Sequence, residues 1–214
     1  MRNKILGFSL LLSLSGFGQA DGKGDVQKQL LYVGTEYVKV FGPENGTPFF
    51  PTQSNKGSVL YHGNLYEGIE LLYDCEDDVV VIRDPQGQLK LRLVSEKLEG
   101  FEIEGHRFVK LRLLGPAGEF YEELYNGRRR LLIQWQKKKS SDQKQSNVYV
   151  LRKSLFILDE GRIVPIEKIS DLYGMAPGKS GEIRKLYRDK RMKFKKDPEG
   201  VTLSILRHIE SSGW

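Results

Sequence analysis

The stretch Asp78-Val79-Val80-Val81-Ile82-Arg83-Asp84-Pro85-Gln86-Gly87-Gln88-Leu89-Lys90-Leu91-Arg92-Leu93-Val94 decides the fold class. Its first third is nearly all Val and Ile, whose branched side chains suit a pleated backbone. Asp84-Pro85-Gln86-Gly87 is a turn with Pro at the second position, where its fixed φ is already correct. Leu89, Leu91 and Leu93 then alternate with Lys90 and Arg92, which is the period of a half-buried strand. Two strands joined by a tight turn form an antiparallel pair.

The same pattern extends in both directions. Toward the N-terminus lie strand-like residues 66–73, interrupted by Gly68, then the turn His62-Gly63-Asn64, then residues 57–61. A Pro-rich loop spans 42–57, and residues 30–41 alternate loosely and read as a further strand. Toward the C-terminus, 101–103 and 108–114 flank Glu104-Gly105-His106. Asn126-Gly127, a hairpin dipeptide, separates 120–125 from 130–135. Residues 148–151 and 155–158 read as two more strands. About ten strands spaced roughly 8–12 residues apart predict a mainly β protein: an antiparallel meander forming a curved sheet, a sandwich or a partly open barrel. Long helical patterns do not alternate with these strands, which argues against a parallel α/β sheet.

The last fifty residues change character. Pro165 opens a short helical stretch to Tyr173, and Ser180 is placed to cap a second, with Ile183, Leu186 and Tyr187 at helical spacing. Asp197-Pro198-Glu199 is a helix start, and Val201, Ile205, Leu206 and Ile209 form one apolar face. A helix of that length is marginal alone, so these helices are expected to pack on the sheet. The organisation read from the sequence is a leader over 1–20, a β domain over 21–164 and a helical cap over 165–214.

The leader follows the order of a secretory signal: Arg2 and Lys4, an apolar run over 5–14, then Gly18-Gln19-Ala20 with small residues before the cut. The run is too short to span a bilayer, which takes about 20 apolar residues. Asp21 stands where a lipid-anchored precursor would carry cysteine. The expectation is an exported chain, periplasmic or outer-envelope, soluble after cleavage and without a transmembrane span. Removing 20 of 214 residues leaves 194, enough for a core without staples. Cys75 is the single cysteine, so no internal disulfide forms, and it reads as a half-buried small residue.

Charge is divided along the chain. The whole sequence carries +6, but residues 21–127 sum to −7 and 128–214 to +11. Arg128, Arg129 and Arg130 and then Lys137, Lys138 and Lys139 bracket one strand, with Lys144 in the loop after it. Arg184, Lys185, Arg188, Lys190 and Arg191 follow between the last helices, along with Lys193, Lys195 and Lys196. If the two groups share a face they make an anion-binding surface. The blander reading is a solvated surface, with the lysines guarding a sheet edge against pairing. Trp135 beside the lysine run is a thin instance of the stacking used on single-stranded nucleic acid, but export argues against that partner and toward anionic lipid or polysaccharide.

Recognisable chemistry is sparse. Asp74, Glu76, Asp77 and Asp78 form a dense acidic cluster without the spacing of a calcium loop, and a solvated hairpin tip explains it. His62, His106 and His208 lie far apart, with no metal-ligand spacing. Neither a nucleophile elbow nor a phosphate-binding glycine loop occurs. Trp214 at the end of the sequence invites comparison with an outer-membrane barrel, but residues 202–209 have a helical period.

Three segments carry a resemblance. They are Gly118-Glu119-Phe120-Tyr121-Glu122-Glu123-Leu124-Tyr125-Asn126-Gly127; the tail from Ile166 through Glu182-Ile183-Arg184-Lys185-Leu186 to Lys193-Phe194-Lys195-Lys196-Asp197; and Gly57-Ser58-Val59-Leu60-Tyr61 with Leu72-Tyr73-Asp74. Together they resemble a family of exported proteins common in Bacteroidetes-type bacteria. The resemblance implies a periplasmic or outer-envelope address and carries over no activity, cofactor or catalytic residue. The resulting expectation is a non-enzymatic envelope protein acting by binding or assembly, with another envelope protein or an anionic surface as partner and with no cofactor or metal. A carrier of an apolar ligand in the curved sheet is the alternative, and a hydrolase without a recognisable motif is the third reading.

Overall fold

The computed structural model describes residues 29–42, 46–112, 118–140 and 148–213. The leader 1–20, Lys144 and Trp214 lie outside the described residues. Eleven strands form one antiparallel sheet: β1 (Thr35–Glu36), β2 (Lys56–Tyr61), β3 (Asn64–Asp74), β4 (Val79–Arg83), β5 (Lys90–Arg92), β6 (Leu98–Ile103), β7 (His106–Leu111), β8 (Glu119–Asn126), β9 (Arg130–Lys139), β10 (Tyr149–Asp159) and β11 (Arg162–Pro165). Their spatial order is β1-β5-β4-β3-β2-β6-β7-β8-β9-β10-β11. Three helices follow: α1 (Ile169–Gly174), α2 (Ser180–Asp189) and α3 (Pro198–Ser211). The molecule is mainly β, an open curved meander with C-terminal helices, as the strand spacing predicts.

Tight turns set the register. Three hairpins close through two-residue loops whose residues both have positive φ: His62-Gly63, Glu104-Gly105 and Glu160-Gly161. Such loops match the twist of the strands they join. In β3, Gly57 faces Ile69 and Ser58 faces Glu67, so Gly68 is the extra residue of a bulge. Its φ of +66° is open to glycine without a steric cost.

Curvature gives two cores. In the first, one face of β2–β8 is covered by Tyr73, Phe101, Phe108 and Phe120, with Phe50 inserted from the preceding loop. Phe101 and Phe108 stack at 4.5 Å, and Phe50 meets Phe108 and Trp135 edge-on at 5.2 Å each. In the second, Leu131, Ile133, Leu155 and Ile157 of β9 and β10 pack with Leu172, Ile183, Val201, Ile205, Leu206 and Ile209 of the helices. Each fully buried Leu, Ile or Val side chain contributes about 1.5–3 kcal/mol, so helix and sheet stabilise one another. Trp135 touches both cores.

Several expectations need correction. Residues 30–41 are not a strand throughout: only Thr35–Glu36 pairs, with β5. Gly34 runs so close to β5 that a Cβ there would lie 2.4 Å from the Arg92 carbonyl oxygen. The chain beyond is held by Tyr37 and Lys39, whose side chains reach Asp74 at 2.7 Å each. The two short strands read at 148–151 and 155–158 are one, because β10 pairs with β9 without a break. Pro165 ends β11 rather than opening a helix. The helix starts at Ile169, where the Asp171 carboxylate accepts from the backbone N–H groups of Glu167 and Lys168. Asn126-Gly127 stands in the β8–β9 hairpin as read, but the loop is three residues long, since Asn126 pairs with Arg130. Glu210 of α3 shapes that loop by accepting from the Arg129 N–H at 2.9 Å. Asp197 behaves as read, its side chain accepting from the Gly200 N–H at 2.8 Å at the start of α3.

Candidate functional site

The basic residues read from the sequence divide into different roles. Arg129 is buried, with Nε 3.0 Å from Asp159, and Arg130 Nε lies 2.6 Å from Glu123. Arg128 reaches Glu160 at 3.9 Å. The arginine run is therefore matched by carboxylates of its own fold. Lys137 donates to the carbonyl oxygens of Thr47, at 2.9 Å, and of Phe49, bracing the 46–50 loop, and burial pushes its ammonium below the usual lysine range. Arg184 lies over the Tyr173 ring at 5.0 Å, while Lys185, Arg188 and Lys190 are exposed along and just past α2. Arg191 makes the turn after it with φ +50°.

A second set of cations gathers on the arm formed by the end of β9 and the start of β10. In this arm Lys138 faces Val150, Lys137 faces Leu151, Arg152 faces Gln136 and Lys153 faces Trp135. Residues 134–139 and 149–154 include Lys137, Lys138, Lys139, Arg152 and Lys153 and no carboxylate. Val150 and Leu151 are exposed. Lys139 lies over Tyr149 at 5.6 Å, and Lys153 lies over Trp135 at 4.9 Å and pairs with Glu199.

Beside this arm, β11 leaves β10 and the chain turns into α1. Two adjoining depressions open there, of about 380 and 440 Å³, sharing Glu167, Phe194 and Lys195. Leu155, Ile166 and Phe194 line the first, and Ile169, Tyr187 and Phe194 the second. Lys168, Lys193, Lys195 and Lys196 stand around the second, with Glu167 the one carboxylate in its lining. Among the described residues, Lys193, Lys195 and Lys196 have no ion-pair partner. The groove combines an apolar floor with uncompensated positive charge, an arrangement that attracts an acidic, partly apolar ligand.

The acidic cluster has a different construction from the solvated tip expected. Asp74 is 0% exposed, and Lys39 Nζ lies 2.7 Å from Asp74, 2.7 Å from Glu76 and 2.9 Å from Asp77. An ammonium of the chain occupies the centre of these carboxylates. Burial alone would raise Asp74, but hydrogen bonds from Lys39, Tyr37 and the backbone N–H groups of Asp77 and Glu76 hold it below the usual carboxylate range. Asp78 is the opposite case: burial raises it, although it accepts from Tyr73 Oη at 2.7 Å and from the Phe120 N–H at 3.2 Å. A cleft of about 190 Å³ beside it is lined by Cys75, Glu119 and Gln134 among others. Cys75 is fully rather than half buried, and burial pushes its thiol up. Such a thiol is a poor nucleophile.

One constellation escaped the sequence reading. His106 Nδ1 lies 2.6 Å from Glu122, and the Trp135 indole N–H donates to the same carboxylate at 2.6 Å. His106 is 16 residues from Glu122 in sequence, and the pairing of β7 with β8, which sets Glu122 opposite Phe108 and so diagonal to His106, brings them together. No hydroxyl or thiol of the described residues hydrogen-bonds to His106, so the nucleophile of a triad is not part of this cluster. His62 is exposed at its hairpin turn, and His208 lies on α3.

No family model matches the chain, and neither curated proteins nor solved structures contain a match to it.

Proposed function

We propose that this is an exported, non-enzymatic protein of the bacterial cell envelope that works by docking an acidic partner in the groove between β10, β11 and the helices. The observation that carries this reading is the grouping of Lys193, Lys195 and Lys196, without ion-pair partners among the described residues, beside the Phe194 floor. Export rests on the pattern of residues 1–20, and the bacterial setting rests on the resemblance drawn from the sequence. No described helix is long and apolar enough to cross a membrane. Close packing of aromatic rings in the core of the β2–β8 sheet supports binding at the surface over carriage of an apolar ligand inside the sheet. The His106–Glu122 pair, with no hydroxyl or thiol of the described residues hydrogen-bonded to His106, gives hydrolysis less support.

The test uses polyglutamate as probe, followed by fluorescence anisotropy across a sodium chloride series. Binding that weakens steeply with salt, and that falls about tenfold or more in Lys193→Glu/Lys195→Glu/Lys196→Glu, is the expected result. Salt-insensitive binding, or full affinity in the triple variant, rejects the groove.

A further inference from the structure

We propose that the partner enters this groove as an extended, acidic polypeptide segment that adds as a strand to the free edge of β10. This rests on the groove reading above and names its ligand class. Strand β11 pairs with β10 only from Phe156 to Asp159. One more bond follows, from the Ile166 N–H to the Leu155 carbonyl at 2.8 Å, and then the chain turns away. Residues 149–154 therefore pair with β9 on one side, and among the described residues no strand occupies the other.

Alternation fixes which groups are open. Backbone N–H and C=O of one residue point to the same side of a strand, and successive residues point to opposite sides. Leu155 points to β11, so Lys153 and Leu151 direct their N–H and C=O into the lane that β11 vacates. A row of alternating donors and acceptors is complementary to an extended peptide backbone, and neither a lipid headgroup nor a sugar chain repeats that pattern. The lane is about 20 Å long, the length of an average strand.

The side chains select the sequence of the added strand. Arg152 and Lys138 lie on one face of the arm and make no ion pair among the described residues. On the other face Leu151 and Leu155 flank Lys153, whose charge is taken by Glu199 and the Trp135 ring, and Leu155 continues into the floor made by Ile166 and Phe194. An incoming strand is thus favoured when acidic residues on its outer face alternate with apolar residues on its inner face. A second copy pairing through the same edge would set Arg152 and Lys153 against like charges, which is destabilising. The positive edge therefore guards against self-association while accepting an acidic strand.

The probe is an eight-residue peptide of alternating glutamate and valine, added to the full protein, with amide hydrogen exchange read residue by residue. Slowed exchange at Leu151 and Lys153, with Val150 and Arg152 unchanged because they already bond β9, is the expected result. Leu151→Pro deletes one outward N–H and no bond to β9, and is expected to weaken the peptide about fivefold, the worth of one hydrogen bond. Peptide or polyglutamate binding without change at Leu151 and Lys153 overturns strand addition and leaves the groove reading standing. Binding of phosphatidylglycerol vesicles with neither peptide bound also overturns it. Failure of every acidic probe rejects the groove itself and leaves the lysines as edge guards.

Discussion

The indole N–H of Trp135 donates to the Glu122 carboxylate at 2.6 Å, from a ring that touches both hydrophobic cores. This bond joins β8 to β9 at the place where the sheet changes the layer it packs on. Trp135→Phe keeps an aromatic ring and removes the donor to a buried carboxylate. The expected loss is about 2 kcal/mol, as for a hydrogen bond to a charged group. A urea midpoint measured against wild type checks it, and a loss below about 0.5 kcal/mol would show that His106 alone satisfies Glu122.

Asp74 and Asp78 should respond to pH in opposite senses. The folded value of Asp74 is depressed, so its stabilisation is present above the unfolded carboxylate value near pH ~4 and is lost as pH falls through the folded value. Asp74→Asn is therefore expected to cost about 2 kcal/mol at pH 7, and less at pH 3. Asp78 is raised, so its ionised form opposes folding above the folded value, and that cost disappears on acidification. Asp78→Asn is expected to be milder than Asp74→Asn at pH 7. Melting temperatures of both variants at the two pH values decide it, and equal losses at pH 7 would contradict the assignment.

Two glycines should respond to alanine for different reasons. At Gly57 a Cβ would lie 2.0 Å from the Glu102 carbonyl oxygen, which forces β2 and β6 apart. At Gly63 nothing lies within 4 Å, but φ is +73°. Gly63→Ala is expected to cost about 1 kcal/mol from backbone strain alone, and Gly57→Ala clearly more. Thermal unfolding of the pair checks the order, and Gly63→Ala equalling or exceeding Gly57→Ala reverses the argument.

Cys75 should be silent in the folded protein. Its side chain is buried and its thiol is pushed up, so little thiolate is present or reachable. Ellman's reagent at pH 8 is expected to label it only as fast as the protein opens, with full labelling in denaturant. Rapid labelling without denaturant would place the thiol at the surface.

The strand run was legible where local chemistry and tertiary role agree. The Val-rich β4 is buried on both faces, and the period of β5 and the turn at Asp84-Pro85 needed no distant partner. Reading failed where a distant group outweighs local preference. Asn126-Gly127 favours a two-residue turn, but Glu210 lies 83 residues on and takes the Arg129 N–H, with its carboxylate 2.3 Å from where a Gly127 Cβ would stand. Alternation over 30–41 suggested pairing, but the side chains of Tyr37 and Lys39 anchor that segment instead. The basic runs were visible as composition, yet their roles depend on partners such as Glu123, Asp159 and the Thr47 carbonyl, which only folding brings near. The groove was hidden for the same reason: Phe194 and Leu155 are 39 residues apart, and nothing in either neighbourhood announces the other.

The position of β2 between β3 and β6 has a kinetic consequence. Every other neighbouring pair in the sheet except β1–β5 joins strands consecutive in the chain. Consecutive hairpins close quickly because their loops are short, whereas β2 must wait for β6 across the whole β3–β5 excursion. The chain can therefore build two meanders independently, and the meeting of Val59 with Phe101 is the event that makes them one sheet. A delay at that step leaves two half-sheets, each with an uncovered edge, so substitutions along β2 and β6 should slow folding and promote aggregation more than equally destabilising ones in the outer hairpins.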